Sequence, residues 1–499
     1  MNINGVTLDH HLLALQLMAI QGVLGAFDTL YHHELTEALA KRPSARQELS
    51  IHSARALIYS ALFIGLSMWE WHGVWAAVLL LVFVIEIALT LWDFVIEDQT
   101  RLLPATERVT HTILAINGGA FITLLVLTTP IWYAQESAMV SHSFGWLSYF
   151  LVACGIGVGL SGIRDGLAAY HLFKIERKPI MDKPLHFGEP GQQVLLTGGT
   201  GVIGQKLVLA LLADGHHVTI LTRKPKQTAW SLDGKVVCIQ SLEELGENQK
   251  IDLIINLAGA KILGWRWSEA RKTALRQSRV ALTEKLVAWV KTARHKPRLL
   301  LSASAIGYYG IQVANDQTSL DEYSPTQAIF MSQLCQEWEA AAQQASVYGV
   351  PVASMRFGLV LGQQGALPMM LLPIKLGLGG KLGRGDQWHS WIHVQDLVRG
   401  IAHLCQINES ATSGNTPAIN TAYNFTAPEA LSQLAFSQTA AQVLHRSCFL
   451  ATPAWPMRFM LGEQADLLLE GQRVIPRRLL ESGFVFKYPR LQEALESLL

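Results

Sequence analysis

The chain has 499 residues, a length that suggests roughly three domains. Half of its residues are hydrophobic and 16% are charged, with a mean hydropathy of +0.24. This composition is too apolar for one ordinary soluble enzyme, and it excludes a disordered or fibrous chain. The formal net charge of +1 does not favour nucleic acid as a partner. The five cysteines form no CxxC pair, so we predict neither a disulfide framework nor a thiolate zinc site.

Most of the apolar excess lies in residues 1–173, where we predict a helical bundle that crosses a lipid bilayer. Several runs approach the ~20 apolar residues that a bilayer requires. The predicted spans are 11–31, 54–72, 74–96, 109–134 and 145–171. The first is the weakest because its apolar run is short. It does not resemble a signal peptide, since the preceding MNINGVTLDHH lacks Lys and Arg and no A-x-A site follows.

Basic residues in the connecting segments give this bundle an orientation. With five spans they all fall on one side of the membrane: Lys41, Arg42, Arg46, Arg101, Arg108, Lys174, Arg177, Lys178 and Lys183. The positive-inside rule places that side in the cytoplasm. We therefore predict a multi-pass protein of the inner, cytoplasmic membrane, with its N-terminus outside and everything after about residue 172 inside.

Ionisable residues gather toward the predicted cytoplasmic end of the spans. Such residues are expensive inside a membrane and are usually functional. Their spacings are helical, and Glu107 and His111, for example, are one turn apart. Bundles that hold two metal ions use carboxylates from some helices and a Glu and a His one turn apart from others. The predicted metal ligands are His32, His52, Glu86, Asp93, Glu97, Glu107 and His111.

Three interpretations of this cluster remain open. The first is a di-metal site for iron or a similar ion, although the spacing of Glu107 and His111 is one residue longer than the usual Glu-x-x-His. The second is a metal-free polar site for the head group of a lipid substrate. The third is a set of charge pairs that stabilises the bundle and docks the soluble domain, with four arginines as cations: Arg55, Arg101, Arg108 and Arg164.

The polar, proline-bearing segment 174–190 is predicted to be a linker. After it, short apolar runs alternate with helical patterns, which is typical of an α/β fold with a parallel sheet. We predict a Rossmann-like, doubly wound domain over 191–400 and a small C-terminal substrate domain over 401–499.

The stretch VLLTGGTGVIGQKLVLALLADG predicts a buried strand, a glycine-rich turn and an amphipathic helix. Its glycines have GxxGxxG spacing, which permits a tight turn and close approach of the backbone to a pyrophosphate at the start of the helix. Because the motif lies between a strand and a helix, it is a strong signal for a dinucleotide. The predicted cofactor contacts are Gly198, Thr200, Gly201, Val202, Ile203 and Gly204.

The following strand ends in Thr222-Arg223-Lys224 and carries no acidic residue there. An Asp or Glu at this place would bind a ribose 2′-hydroxyl, whereas an Arg suits a 2′-phosphate. We therefore predict NADP(H) rather than NAD(H), with Arg223 at the phosphate. The alternative is that Arg223 is a solvated charge at the end of the strand.

Two further apolar strands are predicted within 251–260 and 297–310. The first ends in small residues, as is needed where a backbone passes close to a cofactor, so Leu257, Ala258 and Gly259 are predicted to border it. The second ends in hydroxyl-bearing residues, of which Ser302 is also predicted to contact the cofactor.

The motifs TGGTGVIG, NLAGA and SASAIGYYG occur in this order, and together they resemble the short-chain dehydrogenase/reductase superfamily on its extended, epimerase-like side. The series CQEWEAAA, MRFGLVLG, GLGGKLGRGDQWHSWIHVQDL and YNFTAPE resembles an atypical subgroup, usually called epimerase-family proteins, that has a small C-terminal domain of its own. The resemblance covers about residues 190–499. It implies a Rossmann fold, NADP(H) binding and a substrate cleft built by the C-terminal part.

One departure from that superfamily concerns its catalytic pair, a Tyr and a Lys four residues apart on the helix after the serine strand. Alignment on Glu339 places Met331 and Cys335 at those positions. A methionine cannot transfer a proton, and a neutral cysteine supplies no positive charge. The resemblance still matches Ser304 to the catalytic serine.

A displaced phenol from Tyr308 or Tyr309 is then the remaining candidate for the general acid or base. A phenol of pKa ~10 needs a nearby cation to act near neutral pH, and Lys261 and Arg266 are candidates for that cation. The alternative is that both tyrosines only pack in the wall of the substrate cleft.

The segment 377–397 combines glycine-rich turns with aromatic residues, a pattern that suits a loop closing over a ligand. His393 and Asp396 within it are interpreted as a core histidine and a helix cap. The predicted substrate contacts are Arg384, Gln387, Trp388, His389 and Trp391.

These patterns favour a membrane-bound, NADP(H)-dependent oxidoreductase or epimerase-like enzyme that acts on a small molecule of lipid-like or membrane-accessible character. The missing Tyr and Lys leave a second hypothesis open, a non-catalytic membrane sensor or scaffold that responds to NADP(H).

Overall fold

The computed structural model describes residues 2–3, 6–7, 9–29, 45–100, 105–177, 184–262, 264, 266–313, 315–412 and 419–499. The chain divides into two compact units. The first comprises Met1–Pro179 with Trp230–Gly234, and the second comprises Ile180–Ala229 with Lys235–Leu499.

Five long helices build the first unit, and their number confirms the sequence prediction. They are α1 (His10–Asp28), α2 (Arg46–Met68), α3 (Val74–Thr100), α4 (Ala105–Tyr133) and α5 (Trp146–Arg177). All five are long and apolar enough to cross a membrane. Their inner faces pack around Phe63, Phe83 and Phe121. Large apolar side chains such as Ile116 and Leu160 are exposed on the outside, where a soluble bundle would carry polar residues.

Short strands accompany the helices of this unit. Strands β1 (Asn2–Ile3) and β2 (Val6–Thr7) pair antiparallel, as do β3 (Trp69–Trp71) and β4 (Met139–Ser141). The pairing of β3 corrects the predicted second span, 54–72, which in the structure begins at Arg46 and ends at Met68. An apolar run that continues past the end of a helix conceals this change, because hydropathy does not distinguish helical from extended backbone.

Helix α5 packs on α2 through a row of glycines. A Cβ atom built on Gly155, Gly159, Gly162 or Gly166 would lie 2.7–2.9 Å from a side-chain atom of α2. Small residues at such spacings let two helical backbones approach closely, which is the usual way in which helices associate within a bilayer.

The second unit is built on a seven-stranded sheet, in which the order of strands is β13-β10-β9-β8-β5-β6-β7 and all neighbours are parallel. A smaller sheet holds the remaining strands in the order β11-β12-β14. The strands are β5 (Gln193–Thr197), β6 (His217–Leu221), β7 (Val237–Ile239), β8 (Leu253–Asn256), β9 (Leu299–Ala305), β10 (Val352–Phe357), β11 (Leu359–Leu361), β12 (Trp388–His393), β13 (Thr421–Phe425) and β14 (Ala430–Ser432). The parallel order and the crossover helices confirm the predicted Rossmann-like fold.

The helices of this unit connect the strands and extend past the sheet. They are α6 (Val202–Ala213), α7 (Pro225–Trp230), α8 (Glu269–Arg276), α9 (Leu282–Thr292), α10 (Phe330–Gln343), α11 (Ala366–Lys375), α12 (Val394–Thr412), α13 (Gln433–Val443), α14 (Trp455–Leu461), α15 (Asp466–Leu469), α16 (Arg477–Glu481) and α17 (Leu491–Leu498). A π-helical turn, Gln277–Ala281, joins α8 to α9.

The predicted boundary between residues 400 and 401 is wrong, because it falls inside α12. Strand β13 lies beyond it and pairs with β10 in the main sheet, so the C-terminal part does not begin there. Lys235–Leu499 lies within one compact unit. The sequence pattern does not reveal that the chain returns to the main sheet at β13 after α12.

Candidate functional site

The turn between β5 and α6 has the geometry that a phosphate-binding turn needs. Gly198 has φ +72°, and a Cβ atom there would lie 2.7 Å from the backbone carbon of Leu257. A Cβ on Gly204 would collide with the carbonyl oxygen of Gly198. Gly201 caps α6, so the free N–H groups of Val202 and Ile203 begin the helix. These contacts explain the glycine spacing, and such a helix start favours an anion.

Thr200 and Gly201 are exposed in this turn, where a ligand can reach them. Arg223 is also exposed and follows β6, the strand that pairs with β5. The carboxyl ends of parallel neighbours meet at one edge of a sheet, which places Arg223 on the same edge as the turn. Leu257, Ala258 and Gly259 follow β8 on the other side of β5, and Gly259 is exposed.

A first row of polar side chains crosses the sheet just below this edge. Thr197, Asn256 and Ser302 are register partners on β5, β8 and β9. The Thr197 hydroxyl donates to Asn256 Oδ1 at 2.7 Å, and Asn256 Nδ2 donates to Ser302 Oγ at 3.2 Å. All three are buried, so the contacts of Ser302 link the strands to one another. Its predicted contact with a cofactor has no support from this placement.

A second row lies one step nearer the edge. Ser304, Arg356 and Asn424 are register partners on β9, β10 and β13. Arg356 forms a bidentate pair with Glu339 of α10, with both nitrogen–oxygen distances at 2.8 Å. The Ser304 hydroxyl donates to the same carboxylate at 2.6 Å. The remaining Arg356 nitrogen, Nη1, donates to the Tyr309 hydroxyl at 2.9 Å.

Tyr309 is enclosed by this network. Its hydroxyl donates to Asn424 Oδ1 at 2.7 Å, and the residue is 2% exposed. Burial raises the pKa of Tyr309 to about 12, even though Arg356 opposes the rise. These contacts enclose the Tyr309 hydroxyl within the protein, so its placement does not support the prediction of a catalytic acid or base.

Tyr308 differs from its neighbour because it is only half-buried. The Arg356 guanidinium lies 3.4 Å from the centre of its ring. The cation that the structure places against this ring is Arg356, whereas the candidates named from the sequence were Lys261 and Arg266. An arginine within the apolar strand MRFGLVLG is a signal for a buried ion pair, but the pattern does not name its partner.

Helix α10 lacks the usual catalytic chemistry at the two positions that the alignment indicated. Met331 and Cys335 both lie beside Gly307, at the start of the SASAIGYYG turn. Burial raises the pKa of the Cys335 thiol to about 12, so it stays neutral. These positions are occupied by packing residues.

Arg279 is a buried cation beside the predicted cofactor strand, and sequence reasoning missed it. It lies in the π-helical turn, donates to the Ala260 carbonyl oxygen at 3.0 Å, and stacks on Trp338. A Cβ atom on Gly259 would lie 2.9 Å from its guanidinium. Burial lowers the pKa of Arg279. π-Helical turns are frequent at functional sites. This turn draws attention to Arg279, but it is visible only in the structure and not in the sequence.

The predicted substrate residues divide into two groups. Arg384, Gln387 and Trp388 line a small surface pocket, together with Gln312 and Gly471. Arg384 also forms ion pairs with Asp386 and Glu470 at 3.0 Å. This placement leaves these three as possible ligand contacts.

Trp391 and His389 instead pack against other side chains of the protein. Trp391 is fully buried in the core beneath β12, and its prediction as a substrate contact is wrong. The His389 ring packs edge-on against Phe436, and burial lowers its pKa to about 4. Asp396 lies in the first turn of α12 and accepts from the backbone N–H groups of Lys487 and Tyr488, which begin no helix, so the predicted helix cap is not what the structure shows.

In the bundle, the structure brings two of the predicted metal ligands together with a residue that was missed. Glu48, His52 and Glu97 each offer a ligand atom within 4.8 Å of the others. Glu48 precedes His52 by one helical turn, the same spacing that drew attention to Glu107 and His111. His32 lies outside the described residues.

Three of the other predicted ligands, Glu86, Asp93 and His111, form ion pairs around this group. Arg55 Nη1 lies 2.6 Å from Asp93 Oδ2, and Arg55 Nη2 lies 3.6 Å from Glu86 Oε1. His111 lies between Asp28 and Glu97, at 3.2 and 3.4 Å. Glu107 is fully buried. Glu86 and Asp93 thus match the charge-pair interpretation, with Arg55 as the cation.

Comparison with known proteins identifies the class of the second unit. A model of the NAD dependent epimerase/dehydratase family matches residues 194–422, and a domain of unknown function, DUF1731, matches residues 452–498. An epimerase family protein of Staphylococcus saprophyticus is 40% identical over 307 residues, which are 61% of this chain and 98% of that protein. The chain therefore belongs to the NAD-dependent epimerase/dehydratase family.

Two further relatives cover the same part of the chain. The epimerase family protein YfhF of Bacillus subtilis is 35% identical over 310 residues, 61% of this chain and 97% of its own length. The solved structure of human epimerase family protein SDR39U1 with NADPH is 33% identical, with a TM-score of 0.54 over 62% of this chain and 99% of that one. Neither family model reaches the five long helices, which end at Arg177.

Proposed function

We propose that the protein is a membrane-bound NADP(H)-dependent oxidoreductase or epimerase-like enzyme whose substrate is lipid-like or reaches it from the membrane. The observation that carries the proposal is the shared edge of the main sheet. The phosphate-binding turn, Arg223, Ser304 and Tyr308 all follow or end strands at that edge. In open α/β sheets, ligands bind at the carboxyl ends of the strands.

The residues present fit an NADP(H) molecule. Gly198 and Gly204 leave no room for a side chain in the turn, so the backbone can approach a pyrophosphate closely. An acidic residue at the position of Arg223 would repel a 2′-phosphate, whereas an arginine can bind it. The human relative was solved with NADPH, which supports the same choice here. When bound, this cofactor would supply or accept a hydride at the substrate.

Tyr308 is the side chain best suited to hold or move a proton there. The Arg356 guanidinium lies 3.4 Å from the centre of the Tyr308 ring, so a fixed cation covers the face of this phenol. Glu339 and Tyr309 hold the guanidinium in place from two sides. Ser304 is buried and donates to Glu339, so it helps to orient that carboxylate, and its role as the catalytic serine rests on the family resemblance alone.

An apolar surface on the second unit supports a lipid-like substrate. Helix α11 exposes Met369 and Leu372, and α14 exposes Trp455 and Phe459. The segment after α14 contacts the chain that follows β8, where Gln464 donates to the Gly264 carbonyl oxygen at 3.2 Å. Exposed apolar patches of this kind mark binding surfaces for apolar ligands or membranes.

The orientation predicted from the basic residues is part of the proposal. The N-terminus would lie outside, and the second unit would lie in the cytoplasm, where NADPH is available. The five helices that are long and apolar enough to cross a membrane support this arrangement.

The test is a comparison of NADPH and NADH binding by the detergent-purified full chain. We expect tighter binding of NADPH, and in Arg223→Ser a loss of about 10-fold or more for NADPH only, because one charge-assisted contact contributes ~1.5–3 kcal/mol. Gly204→Ala should abolish binding of both nucleotides, whereas Gly246→Ala, whose Cβ meets open space, should bind normally. Equal affinities of the wild type for the two nucleotides would contradict the NADP(H) assignment.

The second candidate function is a non-catalytic sensor that binds NADP(H). It is favoured by Met331 and Cys335, which occupy the positions of the usual catalytic pair and are buried. A sensor binds the nucleotide tightly, but Ser304→Ala and Tyr308→Phe would leave its function unchanged.

A further inference from the structure

We propose that Glu48, His52 and Glu97 form a binding site for one divalent first-row transition metal ion inside the helical bundle. The site lies outside the regions that the family models match, and it does not depend on the proposed NADP(H) chemistry. The sequence predicted seven ligands for a di-metal site. The proposed site retains His52 and Glu97, adds Glu48, and places a single ion among these three residues.

Helix geometry places the three ligands on facing surfaces. Glu48 and His52 are one turn apart on α2, and Glu97 reaches them from α3. His52 Nε2 lies 3.8 Å from Glu97 Oε1, and one ligand atom from each residue lies within 4.8 Å of the others. Ligands that share one ion at bond lengths of about 2.1 Å are roughly 3–4 Å apart, so small side-chain rotations suffice to close the site.

Asp93 borders this group of three ligands. It precedes Glu97 by one turn on α3, and its Oδ2 lies 3.1 Å from His52 Nε2. Arg55 binds that same oxygen at 2.6 Å. The other oxygen, Oδ1, is buried and has no hydrogen-bond partner among the described residues. An ion beside His52 would satisfy it.

The burial of the two carboxylates favours a bound metal ion. Glu48 and Glu97 are 0% exposed, and buried carboxylates are normally paired with cations or coordinate metals. A set of imidazole and carboxylate donors suits iron, manganese or zinc. His111 Nδ1 lies 3.4 Å from Glu97 Oε2, the oxygen on the far side from His52, so His111 acts as a positioning residue for the ligand.

Elemental analysis of the full chain tests this proposal. The protein is purified in detergent, treated with a chelator, incubated with Mn²⁺ or Zn²⁺, and dialysed. We expect close to one ion per chain in the wild type and at least a tenfold lower content in Glu48→Gln and His52→Gln. The control variants are Glu70→Gln and His72→Gln, which change another Glu and His pair of the bundle, 2.9 Å apart, and should retain the ion.

Two results would overturn the proposal: a wild type that holds no Mn²⁺ or Zn²⁺, or equal retention by the wild type and the Glu48 and His52 variants. A melting curve and a monodisperse elution profile show whether each variant is folded. Should Glu48→Gln and His52→Gln fail to fold, the visible spectrum of Co²⁺ added to the wild type decides. Bands shifted by nitrogen and carboxylate ligands support the site, and the spectrum of Co²⁺ in buffer alone overturns it.

Discussion

At the scale of single residues, Arg356 organises the candidate active site. It pairs with Glu339, donates to Tyr309 and covers the ring of Tyr308. The sequence shows a charged residue within an apolar strand, but Glu339 is 17 positions away and belongs to a helix. Only the fold brings the two together, which is why the sequence pointed to the wrong cations for the phenol.

Arg356→Met should destabilise the second unit strongly. Removing one partner of a buried ion pair leaves the other charge without compensation, at a cost of about 3–5 kcal/mol. The Glu339 side chain is 14% exposed, so water replaces little of the lost contact. Denaturant unfolding of the full chain in detergent measures the effect. Arg477→Met, which breaks exposed pairs with Asp321 and Glu481, is the control, and equal losses in the two variants would contradict the account.

The phosphate-binding residues are the part of the site that sequence predicts best. A glycine motif reports directly on local backbone geometry, and the φ of Gly198 and the close approach at Gly204 are its physical causes. The sequence pattern assigned Ser302 at the end of β9 to the cofactor, an assignment that its contacts do not support. Whether a side chain such as Ser302 serves the sheet or a ligand depends on its neighbours across strands, and those neighbours are distant in sequence.

At the scale of elements, the five long helices followed from hydropathy, whereas their ends and contacts did not. The glycines of α5 occur at helical spacing, but the sequence does not say that α2 is the helix they approach. Strand β3 likewise depends on β4, which follows two helices later. Pairings between separate elements are what a single sequence hides.

Gly162→Val should disrupt the packing of α5 on α2. A Cβ atom there would lie 2.9 Å from the Ala56 Cβ, and both belong to rigid helices. We expect a lower melting temperature of the purified protein. Gly157→Val on the same helix is the matched control, because a Cβ at Gly157 meets nothing within 4 Å. A control that melts as low as Gly162→Val would show that helix propensity, and not the contact, is responsible.

Strand β12 should make the second unit sensitive to acid. Burial lowers the pKa of His389 to about 4 and that of His393 to about 3, from 6.5 in an unfolded chain. Protonation therefore favours unfolding, so this contribution to stability is complete above pH 6.5 and declines as the pH falls from 6.5 toward 4.

His389→Gln removes one of these titrating groups, and its unfolding free energy should fall less between pH 6.5 and 4 than that of the wild type. Denaturant titrations at a series of pH values provide the measurement. His217→Gln, which changes an exposed histidine, should follow the wild-type curve. A His389→Gln curve that is parallel to the wild type would refute the assignment.

At the scale of the whole molecule, the chain joins a unit whose outer surface is apolar to a unit with a nucleotide-binding edge. The region matched to the two relatives is only 61% of this chain but 98% and 97% of the relatives' own lengths. The bundle is therefore an addition to a complete epimerase-family unit. Under the proposed function, a membrane-derived substrate would give a reason for this fusion.

The most direct test of the central claim is NADPH consumption by the full chain in lipid nanodiscs, supplied with membrane lipid extracts. We expect extract-dependent consumption, reduced at least tenfold in Tyr308→Phe with NADPH affinity unchanged, because a positioned general acid contributes ~10²–10⁴-fold. Tyr323→Phe, which changes an exposed tyrosine, is the control. Tight NADPH binding without net consumption in any extract would contradict the oxidoreductase proposal and leave only a redox-neutral, epimerase-like reaction or the sensor, and full activity in Tyr308→Phe would contradict the role of Tyr308.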